Sequence, residues 1–438
     1  MKKFVIFTLI IAMAAGAAFA QTANGISVNA WGRGAFVPLA VVGAPQAGGE
    51  VIPNPDDPDG GDYPSTNFAG TGASWGWSTV RTDFRVNGNA DFVGFQFQWT
   101  EGGLDGQQHI WVKPFSSDII KLTAGRFEVD NLRGKINTDT GFEDFAVPQK
   151  MDEDAIFNRF KTGDSGFLLS SQPIDALFIG LKVEGALGGW YNDGDIREPL
   201  RGHVGSGSKL MDTYRFLQLG FGYDIADVGH LRAQWVGGWF GTIDTEKTDE
   251  DKDVKLLYDN GPNPGSPARI EAAFALTAVQ NLLVDLGLKF WLPFEYKDGM
   301  KYSNGIDVNV GARFRADAFQ IIGQIGANLG GYTRGPKDDD SADGIGLNVN
   351  LIPTYDLDAF TIGADIGLNV VTAPKDPKGE AYEDADYMAV GFGAFVSKGL
   401  GSGSVKAGLA FKTAPTIGGK ANGYSIFSIP ILLEYAFF

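Results

Sequence analysis

Between residues 304 and 371 the chain repeats one pattern four times: about twelve residues alternate between apolar and polar or small side chains, and the chain then turns. Successive side chains of a strand point to opposite faces, so each repeat has one apolar and one polar face. In the first repeat these sets are Ile306, Val308, Val310, Ala312 and Phe314, and Asp307, Asn309, Gly311, Arg313 and Arg315. A soluble sandwich would use shorter strands with the apolar face inside. Strands of ten or more residues indicate a barrel in a bilayer.

The whole chain divides into segments of this kind. They predict an all-β fold: a transmembrane antiparallel up-and-down β-barrel of about 16–18 strands. The predicted strands lie near 26–40, 75–87, 89–101, 107–115, 119–130, 166–172, 176–190, 212–224, 228–240, 269–279, 281–293, 304–316, 318–330, 344–356, 359–371, 386–398, 401–413 and 424–437. The signal is weakest at 107–115 and 166–172, because both segments are short and carry or abut a proline.

The predicted connections alternate in length. Short turns are predicted at Asn87-Gly88, Asp317 and Leu357-Asp358, among others, and long connections stand between them. A barrel with both termini in the periplasm has short periplasmic turns and long external loops, so this alternation supports the barrel.

The N-terminus has the features of a secretory signal peptide. A basic start, Met1-Lys2-Lys3, precedes an apolar run, and Ala18-Phe19-Ala20 is a small-x-small cleavage site. We expect residues 1–20 to be removed and residues 21–438 to form the barrel. The chain has no cysteine, which argues against lipoprotein anchoring and against disulfides.

Composition argues against several function classes. The formal charge is −17, which disfavours nucleic acid as a partner. The three histidines are scattered, and no motif assembles a nucleophile and a base, so we expect no catalytic residues and no enzyme. The acidic runs match no complete calcium loop, so we expect no metal site and no cofactor.

Charged residues recur on the predicted polar faces. An Arg or Lys facing lipid at mid-membrane costs about 2–4 kcal/mol, so these side chains must face a wet lumen. Both signs are present, so the charge of the wall does not by itself predict selectivity for cations or for anions. The candidate pore-lining residues are Arg81, Asp83, Arg85, Lys182, Glu184, Arg232, Asp285, Lys289, Arg313 and Arg315.

The connection 131–165 is long and rich in charge. Such a loop could fold into the lumen and narrow it, or it could remain on the surface outside the pore. Its candidate constriction residues are Glu143, Asp144, Asp152, Asp154 and Arg159.

The C-terminal segment 429–438 resembles the last strand of bacterial outer-membrane barrels, which ends in an aromatic residue. Phe438, however, shares a face with Glu434 rather than with the apolar set. Together with the signal peptide and the strand pattern, this segment makes the chain resemble the bacterial porins, with a loop style most like spirochaetal barrels.

The resemblance implies an outer-membrane location, insertion into lipid by the barrel-assembly machinery, a homotrimer, and passive diffusion of small hydrophilic solutes or ions. It also implies that 131–165 is the constriction loop, because a long external loop, commonly the third, narrows general porins. Two other functions remain open. The barrel could be a scaffold whose acidic loops bind host or partner molecules, or it could be a channel specific for sugars, amino acids or carboxylates.

Overall fold

The computed structural model describes most of the predicted strands and part of their connections. The described residues are 25–43, 66–72, 81–100, 107–136, 140–148, 151, 153–162, 166–184, 217–238, 241–243, 268–296, 301–302, 305–329, 345–372, 387–413, 416–417, 420–421 and 425–437. The predicted signal peptide, residues 1–20, and Phe438 lie outside them.

Eighteen antiparallel strands form one closed sheet. They are β1 (Gly25–Gly43), β2 (Thr66–Gly72 and Arg81–Asn89), β3 (Val93–Trp99), β4 (Gln108–Val112), β5 (Lys121–Arg126), β6 (Gly166–Ile174), β7 (Leu177–Glu184), β8 (Leu217–Ile225), β9 (Gly229–Val236), β10 (Arg269–Leu276), β11 (Leu282–Trp291), β12 (Gly305–Ala316), β13 (Phe319–Leu329), β14 (Ile345–Asp356), β15 (Thr361–Thr372), β16 (Tyr387–Leu400), β17 (Gly403–Thr413) and β18 (Ser425–Ser428 and Ile431–Phe437). Each strand pairs with the next, and β18 pairs with β1. The prediction of a large up-and-down barrel is confirmed.

Both strands that are described in two pieces lie next to β1. The two pieces of β2 pair with the two halves of β1, as do the two pieces of β18. β18 is interrupted at Pro430, because proline has no N–H to donate to the strand ladder. When each pair of pieces is counted as one strand, the barrel has 18 strands, which is the upper end of the predicted range of 16–18.

The two faces of the sheet follow the alternation of the sequence. Ile325 on β13 pairs with Val310 on β12, and its side chain is 50% exposed on the outer face. The neighbouring Gln324 points inward and is fully buried. The same contrast separates Leu286, which is exposed, from Asp285, which is fully buried. The outer face is therefore apolar, and the inner face carries the amides and charges.

The two ends of the barrel differ in the length of their connections. At one end short turns join the strands, and Asp317 and Asp358 adopt positive φ there, which Asp tolerates better than most residues. The predicted turn at Asn87-Gly88 is wrong: β2 pairs with β1 up to Asn89, and the turn follows at 90–92.

The connection between β5 and β6 contains short elements of its own. Glu128–Val129 pairs with Phe160–Lys161, a 3-10 turn covers Asp130–Leu132, and α1 (Glu143–Ala146) and α2 (Glu153–Ile156) are single turns. Outside this connection, Phe294–Tyr296 pairs with both Gly241–Ile243 and Lys301–Tyr302. Thr416–Ile417 pairs with Lys420–Ala421. In the described part of the chain, no helix is long and apolar enough to cross a membrane.

A charge on the outer face should destabilise the barrel more than a charge on the inner face. Ile325→Lys should lower the free energy of unfolding by about 2–4 kcal/mol in a bilayer, because the ammonium would lie in hydrocarbon. Gln320→Lys is the control, since Gln320 points inward from the same strand and is half-exposed. Urea unfolding in lipid vesicles measures both variants, and equal losses would mean that the two faces are assigned incorrectly.

Candidate pore and inner loop

The connection between β5 and β6, residues 127–165, lies against the inner face of the barrel, and we call it the inner loop. Its outgoing part passes β8 at Leu132 and β12 at Ile136, and it reaches β16 and β17 at Phe142. Its returning part passes β11 and β12 again at Ile156 and ends at β7 with Phe160. All these contacts are on the polar face of the sheet. One short segment can reach that face from β7 to β17 only from inside the closed barrel.

Apolar side chains hold the inner loop to the wall in two clusters. One cluster surrounds Ile156 and Phe157 of the loop, and it includes Ile322 and Ile352, which point inward from β13 and β14. The other packs Phe142 and Ala146 against Phe395 and Leu432. Burying a Phe or Ile side chain contributes about 1.5–3 kcal/mol, so these clusters favour a seated loop over a free one.

Inward-facing glycines allow the loop to approach the wall closely. They form a track on eight strands: Gly180, Gly220, Gly222, Gly287, Gly311, Gly326, Gly367, Gly391, Gly393 and Gly408. At Gly287 and Gly391 a Cβ atom would collide with the main-chain oxygens of Ile156 and Ala146. These two positions require glycine because backbone lies directly over them.

Basic and amide side chains of the wall donate hydrogen bonds to main-chain oxygens of the inner loop. Lys289 Nζ lies 2.5 Å from the Asp154 oxygen, Lys182 Nζ 2.6 Å from the Lys161 oxygen, and Lys412 Nζ 2.8 Å from the Asp144 oxygen. The other donor–acceptor pairs of this type are Lys406–Thr140, Arg232–Arg133, Gln234–Asn158 and Gln218–Arg159. The wall thereby satisfies carbonyl groups that water would otherwise have to solvate.

Among the described residues, the wall carboxylates of Asp285, Glu271 and Asp365 accept hydrogen bonds from the inner loop. Asp285 accepts from the Lys135 N–H at 2.5 Å and forms a fully buried ion pair with Arg232. Glu271 accepts from the Asn158 N–H at 3.0 Å and from Arg269 Nε at 2.6 Å. Buried charges are tolerated when they are paired and hydrogen-bonded, as those of Asp285 and Glu271 are.

The structure divides the candidate pore-lining residues into three groups. Lys182, Arg232, Asp285 and Lys289 are at most 7% exposed and lie under the inner loop. Arg313 and Arg315 are exposed at the end of β12 beside a short turn, and Asp83 and Arg85 are half-buried on β2. Arg81 begins the second piece of β2 and Glu184 ends β7, and nothing is described of either side chain. The assignment of all ten to the pore stays a prediction.

The candidate residues of the loop also differ in exposure. Glu143 is 3% exposed and accepts hydrogen bonds from the N–H and hydroxyl of Thr140. Asp144 is half-buried. Arg159 lies 3.4–3.7 Å from carboxylate oxygens of Glu128, Asp130 and Asp154, which places four charges at the neck of the loop. Asp152 lies outside the described residues.

Several residues that hold the loop are not among the candidate pore-lining residues. Lys406, Lys412, Gln218, Gln234 and Glu271 have polar side chains on inward positions, like the candidates, and only their contacts show their role. The glycine track has a signal in the sequence, since Gly220 and Gly222 alternate with the exposed Leu219, Phe221 and Tyr223. A strand whose polar face consists of glycine indicates that backbone packs against it.

No family model matches the chain, and no curated protein matches it. Among solved structures the chain is similar to a porin refined at 1.8 Å resolution, with 12% identity, a TM-score of 0.43, and coverage of 94% of this chain and 100% of that one. It is also similar to the anion-selective porin from Comamonas acidovorans, with 13% identity, a TM-score of 0.41 and the same coverage. OpdL of Pseudomonas aeruginosa matches with 10% identity, a TM-score of 0.46, and coverage of 94% and 98%. The likeness is one of the barrel fold alone.

Side chains added to the glycine track should displace the inner loop without opening the barrel. The double variant Gly287→Val and Gly391→Val should expose the loop to trypsin, because each new side chain meets loop backbone. We expect faster cleavage within 131–165 of the folded protein in detergent. Gly399→Val is the control, since a Cβ atom there meets nothing within 4 Å. Unchanged cleavage of the double variant would contradict close seating of the loop.

Removing one member of the buried ion pair should lower the free energy of unfolding more than neutralising both members does. Arg232→Met should destabilise the barrel by about 3–5 kcal/mol, because it leaves Asp285 charged and buried. Adding Asp285→Asn removes that charge and keeps an acceptor for the Lys135 N–H, so the double variant should recover part of the loss. Urea midpoints of both variants test this, and a double variant less stable than Arg232→Met would refute it.

Proposed function

We propose that this chain is a bacterial outer-membrane channel for passive diffusion of small hydrophilic solutes or ions. The observation that carries the proposal is the closed barrel of 18 strands, with an apolar outer face and a polar inner face. A barrel of this size leaves an aqueous channel unless something fills it. The inner loop covers part of the wall, and we propose that it acts as the constriction.

The apolar outer surface and two sequence segments support the proposed location and partners. Exposed apolar side chains, such as Ile270, Leu288 and Leu409, suit the hydrocarbon of a bilayer. The signal peptide predicted at residues 1–20 suits export, and the resemblance of segment 429–438 to the last strand of outer-membrane barrels suits the barrel-assembly machinery. A homotrimer and a spirochaetal origin remain predictions from the resemblance.

The open path passes between the inner loop and the wall that the loop leaves accessible. Polar groups covered by the loop, such as Asp365 and Asn369, are at most 2% exposed, whereas Asp83, Arg85 and Gln96 on β2 and β3 are half-buried. Exposed charge at the neck of the loop, namely Asp130 and Lys161, borders this path. Charges beside a narrow path focus the field on passing ions.

The purified mature protein should form open channels in planar bilayers. The reason is the number of polar and ionisable inner residues, which stabilise water in the lumen. Deleting 137–152 from the loop should raise the conductance, because the deletion removes part of the constriction. If protein shown by circular dichroism to be folded never conducts, the surface-scaffold function is favoured instead.

Acidic groups at the neck of the inner loop that are exposed or half-buried should contribute to selectivity. Neutralising Glu128, Asp130 and Asp154 together should shift the reversal potential in a salt gradient toward anions, because acidic groups at a constriction attract cations. Glu143→Gln is the matched control: it removes one carboxylate that is 3% exposed, and it should shift the potential less. An equal shift from the control would place the selective charges under the loop.

A further inference from the structure

Polar side chains of β2 and β3, with Gln107 just before β4, form a connected set on the accessible wall. We call Asp83, Arg85, Gln96, Gln98 and Gln107 the polar ladder. Their side chains point inward, and all except Gln98 are half-buried rather than covered. Amides under the inner loop differ: Gln324 is fully buried and Asn350 is 4% exposed. A solute crossing the lumen would therefore meet the amides of the ladder rather than those under the loop.

Two short chains of hydrogen bonds organise the ladder. Gln98 donates to Asp83 at 2.9 Å and accepts from Arg85 at 3.2 Å, so one amide joins the two charges. Gln96 donates to the Gln107 side chain at 2.8 Å, and Gln107 Nε2 lies 3.4 Å from Glu128 at the neck of the inner loop. The ladder thus runs from the wall to the edge of the constriction, with its side chains held in place.

The chemistry of the ladder suits an uncharged solute with many hydroxyl groups. An amide offers two donors and two acceptor lone pairs, and Gln96 uses one donor among the described contacts of its side chain. A hydroxyl group both donates and accepts, so it can bond to an amide on either side. Asp83 and Arg85 have opposite charges joined through Gln98, so the ladder has no net attraction for an anion or a cation.

The spacing of the ladder also suits such a solute. Neighbouring strands lie about 4.8 Å apart, and same-face residues of one strand lie about 6.8 Å apart. Several hydroxyl groups of one saccharide could therefore bond to the ladder at the same time. We propose that the polar ladder is a binding site for neutral saccharides or other polyols on the solute path. This inference rests on the channel function proposed above.

Block of single-channel current by maltotriose tests the proposal. We expect concentration-dependent block of the wild-type channel, weakened about tenfold in Gln96→Leu, which is the effect of losing about one hydrogen bond. The double variant Asp83→Leu and Arg85→Met keeps the net charge and should weaken block to a similar extent. Gln320→Leu on β13 is the control, because Gln320 is half-exposed on the other side of the lumen. Maltotriose should block the control variant at the same concentrations as it blocks the wild type.

Triglycine and citrate serve as zwitterionic and anionic probes; they are similar in size to each other and smaller than maltotriose. Conductance without maltotriose block, or stronger block by triglycine or citrate, would overturn the saccharide site and leave the channel function intact. Equal weakening in Gln320→Leu would show that block does not depend on the ladder, which also overturns it. Absence of any conductance from folded protein would refute the channel function itself. Circular dichroism of each variant establishes that its barrel is formed.

Discussion

Hydrogen bonds from the barrel wall to main-chain oxygens of the inner loop hold the interior of this protein together. A loop inside a barrel must satisfy its backbone groups without a sheet of its own. Here Lys182, Lys289, Lys406 and Lys412 supply donors from three strands of the barrel. The donors bind carbonyls, so the positions of the contacts depend on the loop backbone rather than on its side-chain sequence.

Apolar packing and the glycine track act together with these hydrogen bonds. Lysine can reach a carbonyl only if the loop backbone lies close to the wall, and Gly287 and Gly391 allow that approach. Ile322 and Ile352 interrupt the polar inner face and belong to the same apolar cluster as Ile136 and Ile156. The loop is therefore held at several separate points, which favours a fixed liner over a mobile lid.

The sequence predicted the barrel well because the period of two is a strong signal over long strands. Each of the eighteen predicted segments overlaps one barrel strand, including the weak ones near 107–115 and 166–172. The error at Asn87-Gly88 has a physical cause. The dipeptide favours a tight turn, but pairing with β1 continues through Asn87 to Asn89, and tertiary pairing prevails over local preference.

The inner surface was harder to predict, because the sequence gives the face of a residue but not what covers it. Asp83 and Asp285 both occupy inward positions, yet Asp83 is half-buried and Asp285 is fully buried against Arg232 and the inner loop. The difference depends on a contact between residues about 150 positions apart, which alternation does not encode. A charge on the inner face is therefore accessible from the lumen only where the loop leaves it uncovered. This condition separates the residues that hold the inner loop from those that face the uncovered part of the lumen.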